Sequence, residues 1–251
     1  MPQWSAQRRT TPVAETRPIV PVFPADAIRN AEKPLLEAGE PLMRRAAAAL
    51  AAVAHAELAS DAEQIPSGTH VRRPRVLVLA GPGDNGGDAL YAAVELTEGA
   101  DVDVLLVSDR FHEAAFAAAL AAGARRVEMS AARDSASEYT LILDGIVGIG
   151  ASAALRGTSR EVVRVLRPLV ASAGTSVIAV DLPSGVDPDT GAHDDVVLPA
   201  SVTVTFGGMK AGLVGEDGAP VAGRVILVDL GLDLLPDAGV GTAQISAVVS
   251  G

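Results

Sequence analysis

The chain has 251 residues, 49% hydrophobic but only 3% aromatic, so a sizeable core can form and must be mostly Ala, Val, Leu and Ile. A formal net charge of −11, with a sequence pI near 4.8, argues against a general nucleic-acid or anionic-membrane surface. The chain has no cysteine, which excludes disulfides, thiolate chemistry and cysteine-ligated metal centres, and no apolar run reaches bilayer length, the nearest being Ala46–Ala56.

Residues 1–24 are polar and proline-containing, with no apolar segment of a secretory signal, and read as a loosely attached arm. A soluble, cytoplasmic protein is the expectation. Helical patterns follow at Ala25–Lys33 and Leu35–Ala59, with turns at Pro34 and Pro41, and Ser60–Pro74 reads as a loop. From Arg75 the rhythm changes. Apolar, β-branched runs at Val76–Ala80, Val102–Val107, Leu141–Asp144 and Val177–Val180 alternate with helical stretches at Asp88–Glu98, Phe111–Ala122 and Ser159–Ala173. Two further runs, Val202–Phe206 and Val225–Val228, are joined by a glycine-rich loop and suggest an antiparallel or irregular edge. The pattern predicts one α/β domain over residues 25–251, a Rossmann-like three-layer sandwich with a mostly parallel central sheet.

In open α/β sheets, ligands bind outside the carboxyl ends of the strands. Glycine and polar groups collect there: Gly81–Asp88 after the first strand, Asp144–Gly150 and on to Arg156 after the third, Asp181–Asp187 after the fourth, and Phe206–Lys210 after the fifth. Gly81-x-Gly83-x-x-Gly86 satisfies a dinucleotide fingerprint, in which small residues let a ligand approach and the helix start offers free N–H groups to phosphates. Asp84, Asn85 and Asp88 make that loop more distinctive, because a pure phosphate cradle would not contain carboxylates. Asp144 and Asp181 also suit helix caps or turns, and Arg156 and Lys210 are equally readable as solvated loop residues. Ser184 lies outside any G-x-S-x-G elbow and is not a hydrolase nucleophile. His55, His70, His112 and His193 show no metal spacing. Asn85, Asp144 and Ser184 together offer one charge and neutral oxygens, which suits a monovalent cation better than magnesium.

In that order, GPGDNGGDALYAA, DGIVGIG, AVDLPSGVDPDTG and VTVTFGGMKAGL, preceded by LMRRAAAALA, resemble the NAD(P)H-hydrate epimerases, or YjeF N-terminal domain. The resemblance covers roughly Ala25 to Leu232. It implies an often dimeric isomerase, here expected as a homodimer, that interconverts the R and S forms of NADHX and NADPHX, the hydrated and damaged reduced nicotinamide cofactors. It also implies an S-specific dehydratase as partner, and the acidic balance and lack of a bilayer-length run predict no nucleic-acid or membrane partner. By the same resemblance, Asn85, Asp144 and Ser184 are the expected ligands of a potassium ion. Asp84, Asn85, Gly86, Gly87 and Asp88, then Gly148, Ile149, Gly150, Ala151, Ser152, Ala153 and Ala154, then Asp181, are the expected substrate-binding positions. Asp144 is the expected catalytic residue, and Arg156 and Lys210 are possible substrate contacts. Two departures stand out. Asp84 replaces the usual Asn, and Ile146, Val147 and Ile149 replace a pattern containing Phe and Thr.

The reacting stereocentre is the hydroxyl-bearing carbon beside the ring nitrogen. Epimerisation requires either departure and return of that hydroxyl, or ring opening and closure, with a positioned carboxylate such as Asp144 moving the proton. Two other readings remain. One is an NAD(P)-dependent oxidoreductase, with Asp109 as the nearest acid for a ribose, and the other is a non-catalytic nucleotide-binding or scaffold module on the same fold.

Overall fold

Runs of Val, Ile and Leu with both faces apolar can be satisfied only inside a sheet covered on both sides, and this is where the sequence puts them. A computed structural model describes residues 17–63, 73–149 and 154–251. In chain order its elements are β1 Ile19–Phe23, α1 Ala25–Glu37, α2 Leu42–Glu63, β2 Arg75–Ala80, α3 Asp84–Leu96, β3 Asp101–Leu106, α4 Glu113–Ala122, β4 Arg125–Arg126 and α5 Met129–Asp134. They continue with β5 Leu141–Gly145, α6 Gly157–Ala173, β6 Ser176–Val180, β7 Val202–Phe206, β8 Met209–Lys210, α7 Ala219–Ala222, β9 Arg224–Asp229, β10 Gly241–Gln244 and β11 Ala247–Ser250.

The central sheet has eight strands in the order β11-β9-β7-β6-β5-β2-β3-β4, and each pairing is parallel. Alternation along β2 divides the core. Val76, Val78 and Ala80 face α2, α3 and α4, whereas Leu77 and Leu79 face α5 and α6. This is the three-layer α/β sandwich expected from the sequence. A small second sheet, β10-β1-β8, packs Val20, Val22 and Met209 into a satellite core.

Several expectations change. Residues 19–23, read as part of a loose arm, form a strand paired on both sides. Val20, Val22 and Phe23 are buried, and Pro21 causes no conflict because pairing with β8 starts only at Val22. The rest of that expected arm, residues 1–16, lies outside the described residues, as does most of the expected loop at 64–72. Pro34 sits inside α1 rather than ending it. The Asn30 carbonyl that loses its intrahelical donor belongs to an exposed residue and is open to water. The expected irregular edge is instead parallel, because α7 carries the chain back between β7 and β9. Helix α3 starts at Asp84, four residues before the expected Asp88, and takes the glycine pair into its first turns.

Candidate functional site

The chain leaves β2 for β3 on one side and later returns to β5 on the other, so the carboxyl ends of β2 and β5 flank the switch point of the sheet. Here the β2 end, the start of α3 and the loop after β5 stack with no space for side chains. A Cβ on Gly81 would lie 1.7 Å from the Ile146 carbonyl oxygen, and one on Gly86 would lie 2.2 Å from the Gly81 oxygen. Two of the three fingerprint glycines, Gly81 and Gly86, are therefore occupied by contacts within the protein. The expectation that they open the backbone to a ligand does not hold, and Gly83 alone faces open space.

Beneath this stack lies Asp144, at the end of β5 and with no exposed surface. Its Oδ2 accepts from the Ser184 backbone N–H at 2.9 Å, and its Oδ1 accepts from Ser184 Oγ at 2.6 Å and from the Ile146 N–H at 3.4 Å. Burial pushes the Asp144 carboxyl above its usual value, and the Ser184 and Ile146 hydrogen bonds oppose the shift. Ser184 Oγ also accepts from the Val147 N–H at 3.1 Å. Asn85, in the first turn of α3, donates to the Val180 carbonyl and, at 3.4 Å, to the Val147 carbonyl. Gly148 stands against it, since a Cβ there would lie 2.3 Å from Asn85 Oδ1. Asn85, Asp144 and Ser184 thus meet, as expected, in a nest rich in side-chain and carbonyl oxygens. Among the described residues no group of three or more His, Cys, Asp or Glu is placed to hold a metal ion.

Asp181 follows β6 with φ of +71°, a left-handed conformation that Asp tolerates better than most residues. That turn directs its Oδ1 to Lys210 Nζ, the Phe206 N–H at 3.2 Å and Thr205 Oγ at 3.3 Å. Lys210 is 1% exposed and also donates to the Phe206 carbonyl at 2.8 Å, so it is a buried ion-pair partner and not a solvated loop lysine.

A cavity of about 260 Å³ opens in front of this layer. Asp84, Asn85, Asp88 and Asp181 line it with Ile149, Phe206 and Leu230, and α1 and α2 add Glu32, Leu36, Leu42, Met43 and Ala46. Asp144 is not on this wall; Asn85 is. Asp88 is only 5% exposed and its Oδ1 has no hydrogen-bond partner. Burial, reinforced by the negative charges of Asp181, Asp84 and Glu32 and opposed by Lys210, pushes its carboxyl well above the usual range. Glu32 is also raised, by burial first, with Lys210 pulling the other way. A helix start bearing these carboxyl groups is a poor phosphate site, contrary to the expectation drawn from the glycine loop.

A second cavity, of about 360 Å³, lies beyond the loop after β5. It is lined by Pro82, Ser108, Asp109, Val147, Ala154, Arg156 and the α6 residues Thr158 and Ser159. Arg156 is exposed at the N-cap of α6. Gly86 and Gly87 are buried within α3, Gly87 facing Met43. Gly150, Ala151, Ser152 and Ala153 lie outside the described residues. The sequence reading missed Glu32 and the apolar cavity residues of α1 and α2. The apolar periodicity of these helices was visible, but no local signal shows that their faces close over the loop after β2.

The model of the family described as YjeF-related protein N-terminus matches residues 39–212. The chain belongs to this YjeF-related family. Among the relatives of this YjeF-related chain, the NAD(P)H-hydrate epimerase of Microbacterium testaceum is 52% identical over 236 residues, covering 91% of this chain and 87% of that protein. The NAD(P)H-hydrate epimerase of Clavibacter michiganensis is 50% identical, covering 84% of this chain and 91% of that protein. The bifunctional NAD(P)H-hydrate repair enzyme Nnr of Mycobacterium tuberculosis is 45% identical over 84% of this chain, which spans 42% of that longer protein. The crystal structure of yeast ynu0 shares the fold with a TM-score of 0.63 at 22% identity, covering 76% of this chain and 82% of that one. Glu32 and Leu36 of α1 precede the segment matched by the family model.

Proposed function

We infer that this YjeF-related chain is an NAD(P)H-hydrate epimerase, an isomerase that interconverts the R and S forms of NADHX and NADPHX. The observation that carries this reading is the 52% identity, over nearly the whole chain, to a relative bearing that name. The layout of the site is compatible with it. The cavity at the switch point is too acidic for phosphates but suits an uncharged hydrated ring. The second cavity, with Arg156 and the first turn of α6, suits the phosphate-bearing half of the molecule.

Asn85, Asp144 and Ser184 are proposed to hold a potassium ion. The donor set fits a weakly charged, oxygen-seeking cation: one carboxylate, a hydroxyl, a side-chain amide, and the Val147 and Val180 carbonyls beside them. Such an ion would supply fixed positive charge behind the reacting end of the cavity. Asp144 is proposed to act through this nest as a positioning residue, since its side chain is enclosed and both its oxygens are engaged. Substrate contact is assigned to Asp84, Asn85, Asp88 and Asp181 and to the stretch Gly148–Ala154. Lys210 is proposed to hold Asp181 in place and Arg156 to contact phosphate. A homodimer, an S-specific dehydratase as partner and a cytoplasmic site of action complete the proposal. No helix among the described residues is long and apolar enough to cross a membrane.

The test is a coupled assay. An S-specific dehydratase first consumes the S form from an R/S mixture of NADHX, and the protein is then added with potassium. Rapid loss of the remaining R form is expected. Decay at the spontaneous rate, with the protein folded, would leave a binding module without turnover.

A further inference from the structure

The cavity at the switch point has an unusual balance of charge. Four carboxyl groups line it, Glu32, Asp84, Asp88 and Asp181, and the neighbouring Lys210 is already engaged by Asp181 and the Phe206 carbonyl. Among the described residues Glu32, Asp84 and Asp88 accept no hydrogen bond, and Asp88 Oδ1 is sealed from water without a partner. A carboxyl group as buried as that of Asp88 costs stability when left unpaired. Groups of this kind are retained where charge develops during a reaction. The groups come from two helices, Glu32 from α1 and Asp88 from α3, and both line the one cavity.

We propose that Glu32 and Asp88 are a proton-exchanging pair, and that the acidic wall makes the epimerisation proceed through a positively charged ring rather than an opened one. This rests on the epimerase reading. One carboxyl group gives its proton to the ring hydroxyl, the carbon–oxygen bond breaks with its electrons going to the departing water, and the nitrogen lone pair forms a carbon–nitrogen double bond. The resulting cation is flanked by carboxylates. A different water then adds to the opposite face, its oxygen supplying the electron pair, and loses a proton to the second carboxylate. In the reverse direction the two groups exchange roles, so the pair carries one proton between them. Burial raises both carboxyl groups, and the charge of Glu32 adds to the shift of Asp88, which agrees with a shared proton. Ring opening would instead break the carbon–nitrogen bond and keep the original oxygen on carbon.

The experiment follows oxygen. The R form of NADHX is epimerised by the protein in water enriched in oxygen-18, and the S form is trapped at short times. The expected result is one solvent oxygen in each S molecule formed, beyond the spontaneous background. Epimerisation with the original oxygen retained overturns the proposal and leaves the epimerase reading intact, whereas no epimerisation by the native protein removes that reading itself. Separately, Glu32→Gln is expected to lower kcat by roughly 10²-fold with little change in KM, and Glu32→Asp to restore part of the loss. A Glu32→Gln protein with native kcat overturns the role of Glu32.

Discussion

The two ends of the β2–β3–β5 region treat buried carboxylates in opposite ways. At the amino ends, Asp103 of β3 is fully enclosed and completely satisfied. Its Oδ1 accepts from Arg125 Nη2 at 2.8 Å and Nε at 3.1 Å, and its Oδ2 accepts from Arg75 Nη2 at 2.7 Å and Tyr139 Oη at 2.9 Å. Burial alone would raise this carboxyl, but the bonds from Arg75, Tyr139 and Arg125 outweigh it and hold Asp103 below its usual value. At the carboxyl ends, Asp88 and Glu32 are raised and unpaired, and Asp144 is raised despite its bonds to Ser184. The first arrangement fastens β2, β3, β4 and the approach to β5. The second has the pattern of a site that gives up stability for chemistry.

Substitutions should separate the two ends. The largest effect is expected for Asp144→Asn, which should lower kcat/KM about 10²–10³-fold through the cation nest and abolish any potassium dependence, while circular dichroism and the melting transition stay near native. Retained activity would break the assignment. Asp103→Ala should do the reverse. It removes the acceptor of Tyr139 and Arg125 and leaves Arg75 only Glu138, and should cost roughly 3 kcal/mol in denaturant unfolding, with kcat of the folded protein unchanged. This contribution should also depend on pH. A carboxyl depressed on folding stabilises the native state above its unfolded value, so the stability from Asp103 should fade as pH drops through the acidic range. Arg156→Ala should raise KM roughly fivefold, about 1 kcal/mol, with kcat little altered.

The smallest effect sharpens the contrast most. Asp88 is raised on folding, so it favours the native state only while protonated, and stability should decline as pH rises from the ordinary carboxylate range towards the raised value. Asp88→Asn should therefore stabilise the protein at neutral pH by about 1 kcal/mol and flatten that pH slope, at the expense of turnover. Urea unfolding of both proteins across the pH range measures it. A destabilised variant would mean that the Asp88 carboxylate is paired in solution.

The layered fold, six of the central strands and the assembly of Asn85, Asp144 and Ser184 were legible in the chain. Val, Ile and Leu runs between helical stretches admit few other arrangements, and strand-end loops in a parallel sheet must gather on one edge. What the chain did not disclose depends on contacts distant in sequence. The fingerprint glycines looked available to a ligand, but only the packing of Gly81 on Ile146 and of Gly86 on Gly81 shows them occupied. Ile19–Phe23 became a strand because β8 and β10, far along the chain, supplied its partners. Lys210 was indistinguishable from a surface lysine until Asp181 turned towards it. Glu32 gave no signal at all, since an isolated acid on a helix is most cheaply solvated. Burial and like charges across the cavity changed its character, and local sequence determines neither.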